Sequence, residues 1–486
     1  MAATSDEAKM KLRSWLILAT IAAFATPLLR AQSKDRIHQL AHDIFQQLIE
    51  TNTTESSGST TVAAEAMARR FRDAGFLESD VRVLIPDQDP RKGNLVVRMH
   101  GSGARRAILL IGHLDVVEAR REEWSTDPFR FIEKDGYFYG RGTQDMKDGD
   151  AIWVTTLIRF MREGYHPDRD LILALTADEE TGKLDGVDWL LRNHRDLIDA
   201  EYVLNADSGG VVTDKGKPVN VSVEASEKIY ADYQLEVKNP GGHSSLPTRD
   251  NAIYHLADGL ARLERYEFPF ELNEATRAYF RQMAATQSAE TAQDMLAILQ
   301  SPPDQAAISR LDDVPKYHAT MRTTCVATRL DAGHANNALP QMARAVVNCR
   351  ILPGYDREEI RRKLVEILAD PQIAVRYIDP VGQILDAAPS EPPPPRVTLR
   401  PDVMVPLAKV SSEMWPGAPV IPTMATGASD GILTEAAGMP TYGISGVAID
   451  FDDVRYHGRD ERVRVQSFYD GLEFYYRFLK LLTSEQ

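Results

Sequence analysis

Runs of apolar residues alternate with segments of helical periodicity through the first part of the chain. The apolar runs have the length of buried strands, and the segments between them repeat their apolar residues as amphipathic helices do. Apolar strands separated by helices are typical of an α/β layer with a mainly parallel sheet. The predicted strands are 94–100, 107–111, 171–176 and 202–205, and the predicted helices are 35–50, 61–74, 148–163 and 186–194.

The pattern changes after residue 222, where a strand, a helix, two strands, a helix and a strand follow in turn. That order, βαββαβ, is the ferredoxin-like split βαβ arrangement. A proline cluster then marks a linker over 389–396, after which α/β character returns. We therefore predict a smaller domain, 226–388, inserted into a larger domain made of 32–225 and 397–486. An additional, largely helical stretch is expected at 272–312.

The amino terminus has the pattern of a secretory signal peptide. Lys11 and Arg13 precede an apolar run over 15–29, and Ala31 supplies a small residue at a cleavage point. We predict a signal peptide over 1–31, export to the periplasm or the medium, and no membrane span in the mature chain. An uncleaved membrane anchor is the alternative, although the run is short against the roughly 20 apolar residues of a spanning helix.

Composition narrows the chemistry. The chain of 486 residues has 56 Lys and Arg against 71 Asp and Glu, a formal charge of −15 and no basic stripe, which argues against a nucleic acid as partner. Two cysteines are too few for a disulfide scaffold or a cysteine-rich metal site, so any metal must be held by His, Asp and Glu. For Cys325 and Cys349, which lie in two β-like runs, the sequence leaves a disulfide and two buried thiols equally open.

Histidines and carboxylates cluster just after the carboxyl ends of the predicted strands, the edge of an open α/β sheet at which sites are built. Others lie in a glycine-rich loop and in a polar loop near the C-terminus. Two imidazoles with several carboxylates suit Zn²⁺ or a similar divalent ion. For each motif alone, a helix cap or a solvated carboxylate is the alternative. The residues concerned are His113, Asp115, Asp145, Glu179, Glu180, Asp207 and His457.

The spacing of two pairs among these residues predicts how their side chains are arranged. His113 and Asp115 share a side of an extended chain, so that Asp115 could hold the second ring nitrogen of His113. Glu179 and Glu180 are adjacent and point in different directions, so that one can bind metal while the other takes a proton from a metal-bound water.

The same residues, in the same order, resemble the M20 family of metallopeptidases and amidohydrolases, which includes glutamate carboxypeptidase, succinyl-diaminopimelate desuccinylase, aminoacylase and dipeptidases. The resemblance covers nearly the whole mature chain. It implies a zinc-peptidase-like catalytic domain that holds two Zn²⁺ ions, with Co²⁺ or Mn²⁺ as alternatives. The motifs are His113-Leu-Asp115, Gly140-Arg-Gly-Thr-Gln-Asp145-Met-Lys147, Asp178-Glu179-Glu180-Thr-Gly182, Gly241-Gly-His243-Ser-Ser245 and His457-Gly.

The resemblance also implies a role for each residue. Asp145 would bridge the two ions, Glu179 would be the general base and acid, and Asp115 would orient His113. The remaining ligands implied are His113 and Asp207 for one ion, and Glu180 and His457 for the other.

The inserted domain resembles the family's lid and dimerisation domain, which implies a homodimer. His243 would stabilise the tetrahedral oxyanion. Asn337, Arg350 and Gly427 would bind substrate, and the Arg350 fork suits a carboxylate. We therefore expect an exported enzyme that hydrolyses an amide bond next to a free-carboxylate amino acid. Its substrate would be a small peptide or an N-acyl amino acid, as in a dipeptidase, a carboxypeptidase or an N-acyl-amino-acid hydrolase.

Two other functions remain as alternatives. Residues 427–431 satisfy the G-x-S-x-G pattern of a nucleophile elbow, which would make Ser429 and His457 part of a serine hydrolase. A non-catalytic binding protein on the same fold is the second, because a fold does not imply a function.

Overall fold

The computed structural model describes residues 34–389, 398–427 and 429–484. The predicted signal peptide, and all of the predicted linker except residue 389, lie outside the described residues. None of the described helices has the length and apolar character that crossing a bilayer requires.

A ten-stranded sheet forms the centre of the molecule and confirms the predicted α/β class. Ile108–His113 runs parallel to both Leu171–Thr176 and Tyr202–Asn205, and all three strands are fully buried. Antiparallel pairs lie on both sides of this parallel centre, although the edge strand Ala448–Asp450 again pairs in parallel, so the sheet is mixed. Its spatial order is Val81–Leu84, Asn94–Met99, Leu171–Thr176, Ile108–His113, Tyr202–Asn205, Thr441–Gly443, Lys217–Glu227, Gly210–Asp214 and Ala448–Asp450, with Val420–Ala425 paired to Lys217–Glu227.

Helices cover the large sheet and explain why its central strands are apolar on both faces. Separate hydrophobic clusters lie on the two faces. Residues 34–50 are helical. The other helices of this part are Thr60–Asp73, Lys147–Glu163, Gly186–Asn193, Arg195–Ile198, Pro401–Met414, Gly431–Ala436 and Val465–Leu482, with short 3₁₀ turns at Glu78–Asp80 and Arg121–Glu123, and a small sheet of Ile132–Lys134, Tyr137–Tyr139 and Arg462–Arg464.

A second, antiparallel sheet has five strands and its own hydrophobic core. Helices Ala252–Arg265 and Arg357–Leu368 pack against it. Along the chain its first four strands and these helices follow the predicted βαββαβ order, and their spatial arrangement is that of the split βαβ sandwich. The strands, in spatial order, are Thr324–Ala332, Met342–Ile351, Ile229–Lys238, Ala374–Ile378 and Ile384–Leu385, and a separate ribbon pairs Gly242–His243 with Ala338–Leu339.

Cys325 and Cys349 face each other on the antiparallel strands Thr324–Ala332 and Met342–Ile351, with their Cα atoms 4.1 Å apart. They form a disulfide. Of the two alternatives that the sequence leaves open, the structure contains the disulfide.

The additional segment predicted at 272–312 is helical and extends to Met321. Side-chain caps from Asn273, Ser288 and Asp304 begin three of its helices. Its hydrophobic cluster includes Ile421, so the segment packs on a strand of the large sheet. Its helices are Glu274–Met283, Ala284–Thr286, Ala289–Ala297, Gln305–Asp312 and Pro315–Met321.

Candidate metal centre

The parallel centre of the large sheet brings the predicted ligands to one edge. His113 is the last residue of its strand and lies beside Thr176, while Ile111 of the same strand lies beside Asn205. The loops that carry Glu180 and Asp207 therefore leave the sheet next to His113. Polar residues that are far apart along the chain meet here because the carboxyl ends of parallel strands lie at the same edge of the sheet.

Asp145 lies between two histidines at this edge. Its Oδ1 is 3.1 Å from Nε2 of His113, and its Oδ2 is 3.0 Å from Nε2 of His457. Asp207 Oδ1 approaches the first histidine at 3.6 Å, and Glu180 Oε2 approaches the second at 3.0 Å. Asp145 thus belongs to two groups of potential ligands, whose donor atoms lie within 4.8 Å of one another in each group.

The charges of this cluster fit divalent cations. Burial lowers the pKa of His113, but the carboxylates of Asp145 and Asp207 outweigh burial and raise that pKa well above its usual value. Hydrogen bonding to Asp145 raises the pKa of His457 to about 9. Burial raises the pKa of Glu180 to about 7, and its Oε1 is buried without a hydrogen-bond partner. An orphaned carboxylate oxygen in a set of oxygen and imidazole donors fits a dinuclear metal site.

Asp115 holds the neighbouring loop in place. Its carboxylate accepts the backbone N–H groups of Glu179 at 3.3 Å and Glu180 at 3.1 Å. Nδ1 of His113 is 3.0 Å from the backbone oxygen of Asp115 and 3.7 Å from its carboxylate. The sequence predicts that Asp115 orients His113, and in the structure the nearer partner of the ring is the backbone oxygen of Asp115.

Glu179 is half-buried beside the ligands and belongs to neither ligand group. Burial raises the pKa of its carboxyl group; His113 opposes this, and Asp207 and Glu180 add to it, so that the pKa lies well above its usual value. A carboxyl group near the ligands with a raised pKa is what general acid and base catalysis requires near neutral pH.

Glu461 connects the loop of Asp145 to the loop of His457. Its Oε1 accepts the backbone N–H groups of Gly142 at 3.1 Å, Gln144 at 2.7 Å and Asp145 at 3.1 Å. Its Oε2 is 2.6 Å from Nη1 of Arg141, and both members of this ion pair are buried. Glu461 is not among the residues predicted from the sequence, where its only signal is that an acid follows His457 by four positions.

A pocket of about 240 Å³ adjoins the metal-ligand residues. Asp115 and Glu180 are among its lining residues, and the valines that follow Asp115 also line it. We call it the side pocket. Its wall on the other side is formed by residues 53–55 and 58–60 and by Arg91 and Lys92.

The residues predicted in the inserted domain lie apart from the ligand groups. His243 is exposed, and its Nδ1 accepts the backbone N–H of Ser245 at 3.2 Å. Ser244 donates its N–H to the backbone oxygen of Asn337, which brings His243 and Asn337 onto one ribbon. The guanidinium of Arg350 lies 4.6 Å from the ring centroid of Tyr230.

Gly427 is exposed at the end of the segment that follows Val420–Ala425. Among the described residues, no hydrogen bond or ion pair joins His243, Asn337, Arg350 or Gly427 to the metal-ligand groups. Their predicted roles in binding substrate stay predictions.

Ser429 lacks the partner that a serine nucleophile needs. Its hydroxyl donates to Oε1 of Glu227 at 2.7 Å, and its N–H donates to Oε2 at 2.8 Å. His457 pairs instead with Asp145 and Glu180. Because a triad requires the histidine to accept the proton of the serine, this arrangement argues against the serine hydrolase.

The fold and the ligand groups define a metal-dependent hydrolase of the α/β class. The sequence matches the model of "Peptidase family M20/M25/M40" over residues 109–481. The chain belongs to this family and is a hydrolytic enzyme, as the sequence predicts.

Known relatives agree with this assignment. The chain is 28% identical over 389 residues to human "N-fatty-acyl-amino acid synthase/hydrolase PM20D1". The aligned region covers 78% of this chain and 74% of the relative. It is 34% identical over 213 residues to "Succinyl-diaminopimelate desuccinylase" of Delftia acidovorans, over 39% of this chain and 52% of the relative. Its fold resembles that of the "M20 family metallo-carboxypeptidase Sso-CP2 from Sulfolobus solfataricus", with a TM-score of 0.66 at 16% identity, over 91% of this chain and 99% of that one.

Proposed function

We propose that the chain is a dinuclear-zinc amidohydrolase that releases an amino acid with a free carboxylate from an N-acyl amino acid or a small peptide. One observation carries the proposal: each carboxylate oxygen of Asp145 faces a different histidine, and each histidine has a second carboxylate beside it. A carboxylate shared in this way is the arrangement expected of a ligand that bridges two cations.

His113 and Asp207 would hold one Zn²⁺, Glu180 and His457 would hold the other, and Asp145 would bridge them; Co²⁺ or Mn²⁺ could replace zinc. When bound, the two ions would polarise the amide carbonyl and make a water acidic enough to react near neutral pH.

Glu179 supplies the proton transfers. Its carboxylate takes a proton from the attacking water as the oxygen–carbon bond forms, and it delivers that proton to the amide nitrogen as the carbon–nitrogen bond breaks. The half-buried position of Glu179 beside the ligand groups would limit the loss of that proton to bulk solvent.

The smaller sheet would supply substrate contacts. Nδ1 of His243 lies 3.2 Å from the backbone nitrogen of Ser245 and 2.7 Å from its hydroxyl, which leaves Nε2 as the ring nitrogen that would donate to the developing oxyanion. The Arg350 fork, with Asn337 and Gly427, would bind the free carboxylate and the backbone of the substrate. One relative is named for N-fatty-acyl amino acids, and another, of Dictyostelium discoideum, is named "Probable carboxypeptidase S-like 2", which supports a substrate with a free amino-acid carboxylate.

We further propose a homodimer through the smaller sheet and export of the protein. The edge strand Thr324–Ala332 is exposed along most of its length, including Val326 and Leu330, and an unpaired apolar edge favours association. The Cys325–Cys349 disulfide fits an oxidising compartment.

The proposed activity is tested with purified protein and a panel of dipeptides, N-acyl amino acids and their C-terminally amidated counterparts. We expect release of the free amino acid from the carboxylates and not from the amides, loss of release after a zinc chelator, and recovery with Zn²⁺. Release that survives complete metal removal would contradict the metal mechanism. Equal cleavage of acids and amides would contradict the role of Arg350.

A further inference from the structure

The side pocket is large enough for a compact chemical group. Its volume is about 240 Å³, whereas an apolar protein cavity of about 150 Å³ is known to hold benzene. By that measure the side pocket holds roughly seven to ten non-hydrogen atoms. A long fatty chain would extend beyond this volume.

The cations on the wall of the side pocket are already paired. Nζ of Lys92 is 2.6 Å from Oε2 of Glu55 and 2.5 Å from Oδ1 of Asp178. Arg91 is 2.8 Å from Asp89. The described lining residues therefore offer no free cation to a negatively charged group, and their acidic members would repel one.

The walls of the side pocket are built in advance. Glu118 accepts the N–H of Ser56 at 2.9 Å and its hydroxyl at 3.0 Å, which ties the loop over 53–60 to the chain that follows Asp115. The buried Lys147 donates to the backbone oxygen of Thr51 at 2.9 Å. The hydroxyl of Thr53, a lining residue, is buried without a hydrogen-bond partner. A pocket held in this way selects its occupant by size.

The position of the side pocket indicates which end of the substrate enters it. Asp115 and Glu180 line it, so it opens next to the place of the reacting carbonyl. The residues proposed to bind the free carboxylate, Asn337 and Arg350, belong instead to the ribbon and strand of the smaller sheet. The group on the opposite side of the amide bond is the acyl group.

We propose that the side pocket is the acyl subsite and that it accepts a compact, uncharged acyl group of the pentanoyl or phenylacetyl class. This rests on the proposed function. It separates the chain from a desuccinylase, whose acyl group carries a charge, and from a hydrolase that favours fatty-acyl groups.

The first test is the acyl preference of the native, zinc-loaded protein. N-acyl derivatives of one amino acid are compared by kcat/KM, with acetyl, pentanoyl, phenylacetyl, succinyl and palmitoyl as the acyl groups. We expect kcat/KM to be highest for pentanoyl or phenylacetyl and at least tenfold lower for succinyl and palmitoyl, since even one methylene gained or lost in a pocket is worth about 10- to 200-fold. A maximum at succinyl or palmitoyl overturns the proposal.

The second test fills the side pocket. Val117→Trp should lower the ratio of the phenylacetyl to the acetyl kcat/KM at least tenfold, because the indole occupies the space of the larger group. Val365→Trp, the same change at an exposed position on the helix Arg357–Leu368, is the control and should leave that ratio unchanged. An unchanged ratio in a folded Val117→Trp protein contradicts the subsite.

Failure of the proposed function gives a different result. If no member of the series is cleaved by the zinc-loaded protein, the proposed activity on N-acyl amino acids is wrong and the acyl subsite falls with it. If members are cleaved without the expected preference, only the subsite is wrong.

Discussion

At the candidate metal centre, the proposed role of each carboxylate depends on its neighbours and not only on its residue type. Asp145 and Asp207 are both aspartates at this site, yet Asp145 meets two histidines and Asp207 meets one. Glu179 and Glu180 are adjacent, but only Glu180 contacts His457. The proposed division between metal ligands and proton carrier follows from which carboxylate oxygen reaches which imidazole.

Replacement of Glu179 tests this division. Glu179→Gln keeps the size of the side chain and removes its ability to accept a proton. We expect kcat to fall about 100- to 10,000-fold, the range for loss of a general base, while bound zinc is unchanged. Turnover and metal content are measured on the same preparation. Turnover equal to that of the unaltered protein would show that another group moves the proton.

At the scale of elements, the ends of the central strands position several of the candidate ligands. The carboxylate of Glu461 in addition connects the loop of Asp145 to the loop of His457. Glu461 accepts N–H groups from the loop of Asp145 while it belongs to the segment that carries His457. The Glu461 carboxylate thus links the loop of Asp145, which belongs to both groups of candidate ligands, to the segment of His457, which belongs to one group. Groups that orient metal ligands in this way affect metal affinity as well as stability.

We expect Glu461→Gln to weaken zinc binding about 10- to 100-fold, because the neutral amide holds Arg141 and the loop N–H groups less firmly. Zinc affinity is measured by competition with a chelator, and unfolding of the metal-free protein is measured in parallel. The control is Glu358→Gln, which alters a carboxylate that also binds an arginine and a backbone N–H but belongs to the smaller sheet region. Equal zinc affinity in both variants would make Glu461 a purely structural residue.

The disulfide stabilises the edge hairpin of the smaller sheet. Cys325 and Cys349 are separated by 24 residues, and closing a loop of that size contributes about 3 kcal/mol through the entropy of the unfolded chain. Replacing both cysteines with serine should lower the free energy of unfolding by about that amount. Urea unfolding of the two proteins measures the difference. No change would show that the disulfide adds no net stability.

Much of this arrangement is predictable from the sequence. The apolar runs over 107–111, 171–176 and 202–205 identify strands because parallel strands are buried on both faces, and the polar residues after them identify the ligand edge. Glu461 is not predictable in the same way. Its partners lie far along the chain, and local periodicity carries no information on such contacts.

The same limit applies to Ser429 and to the helical segment after residue 272. A local G-x-S-x-G pattern predicts a nucleophile, but the hydroxyl of Ser429 is bound by Glu227, which precedes it by 202 residues. The helical periodicity of 272–312 is visible in the sequence, whereas its packing on Val420–Ala425 depends on a strand beyond the predicted linker.

At the scale of the whole molecule, a large mixed sheet carries the candidate metal centre, and the smaller antiparallel sheet and its ribbon carry the predicted substrate residues His243, Asn337 and Arg350. The proposed hydrolysis requires both sheets, since one would hold the metal ions and the other would bind the substrate. In the proposed dimer, the exposed edge strand Thr324–Ala332 would pair the two chains, since no strand of the described part of the chain lies on its outer side.

The proposed dimer is tested by charging this edge. Val326→Lys with Leu330→Lys should convert a dimer into a monomer, because lysines on an edge strand oppose pairing between strands. Molar mass is measured by light scattering after size exclusion. Val365→Lys, at an exposed position on a helix of the same region, should stay dimeric. A monomeric unaltered protein would contradict the dimer directly.

Zinc titration of the metal-free protein tests whether Asp145 joins two metal ions. Metal content is determined after dialysis, and hydrolysis of an N-acyl amino acid is followed as zinc is added. We expect two zinc ions per chain, maximal activity near two equivalents, and a marked loss of bound zinc in Asp145→Asn. A single ion at full activity, or full zinc content in Asp145→Asn, would contradict the account.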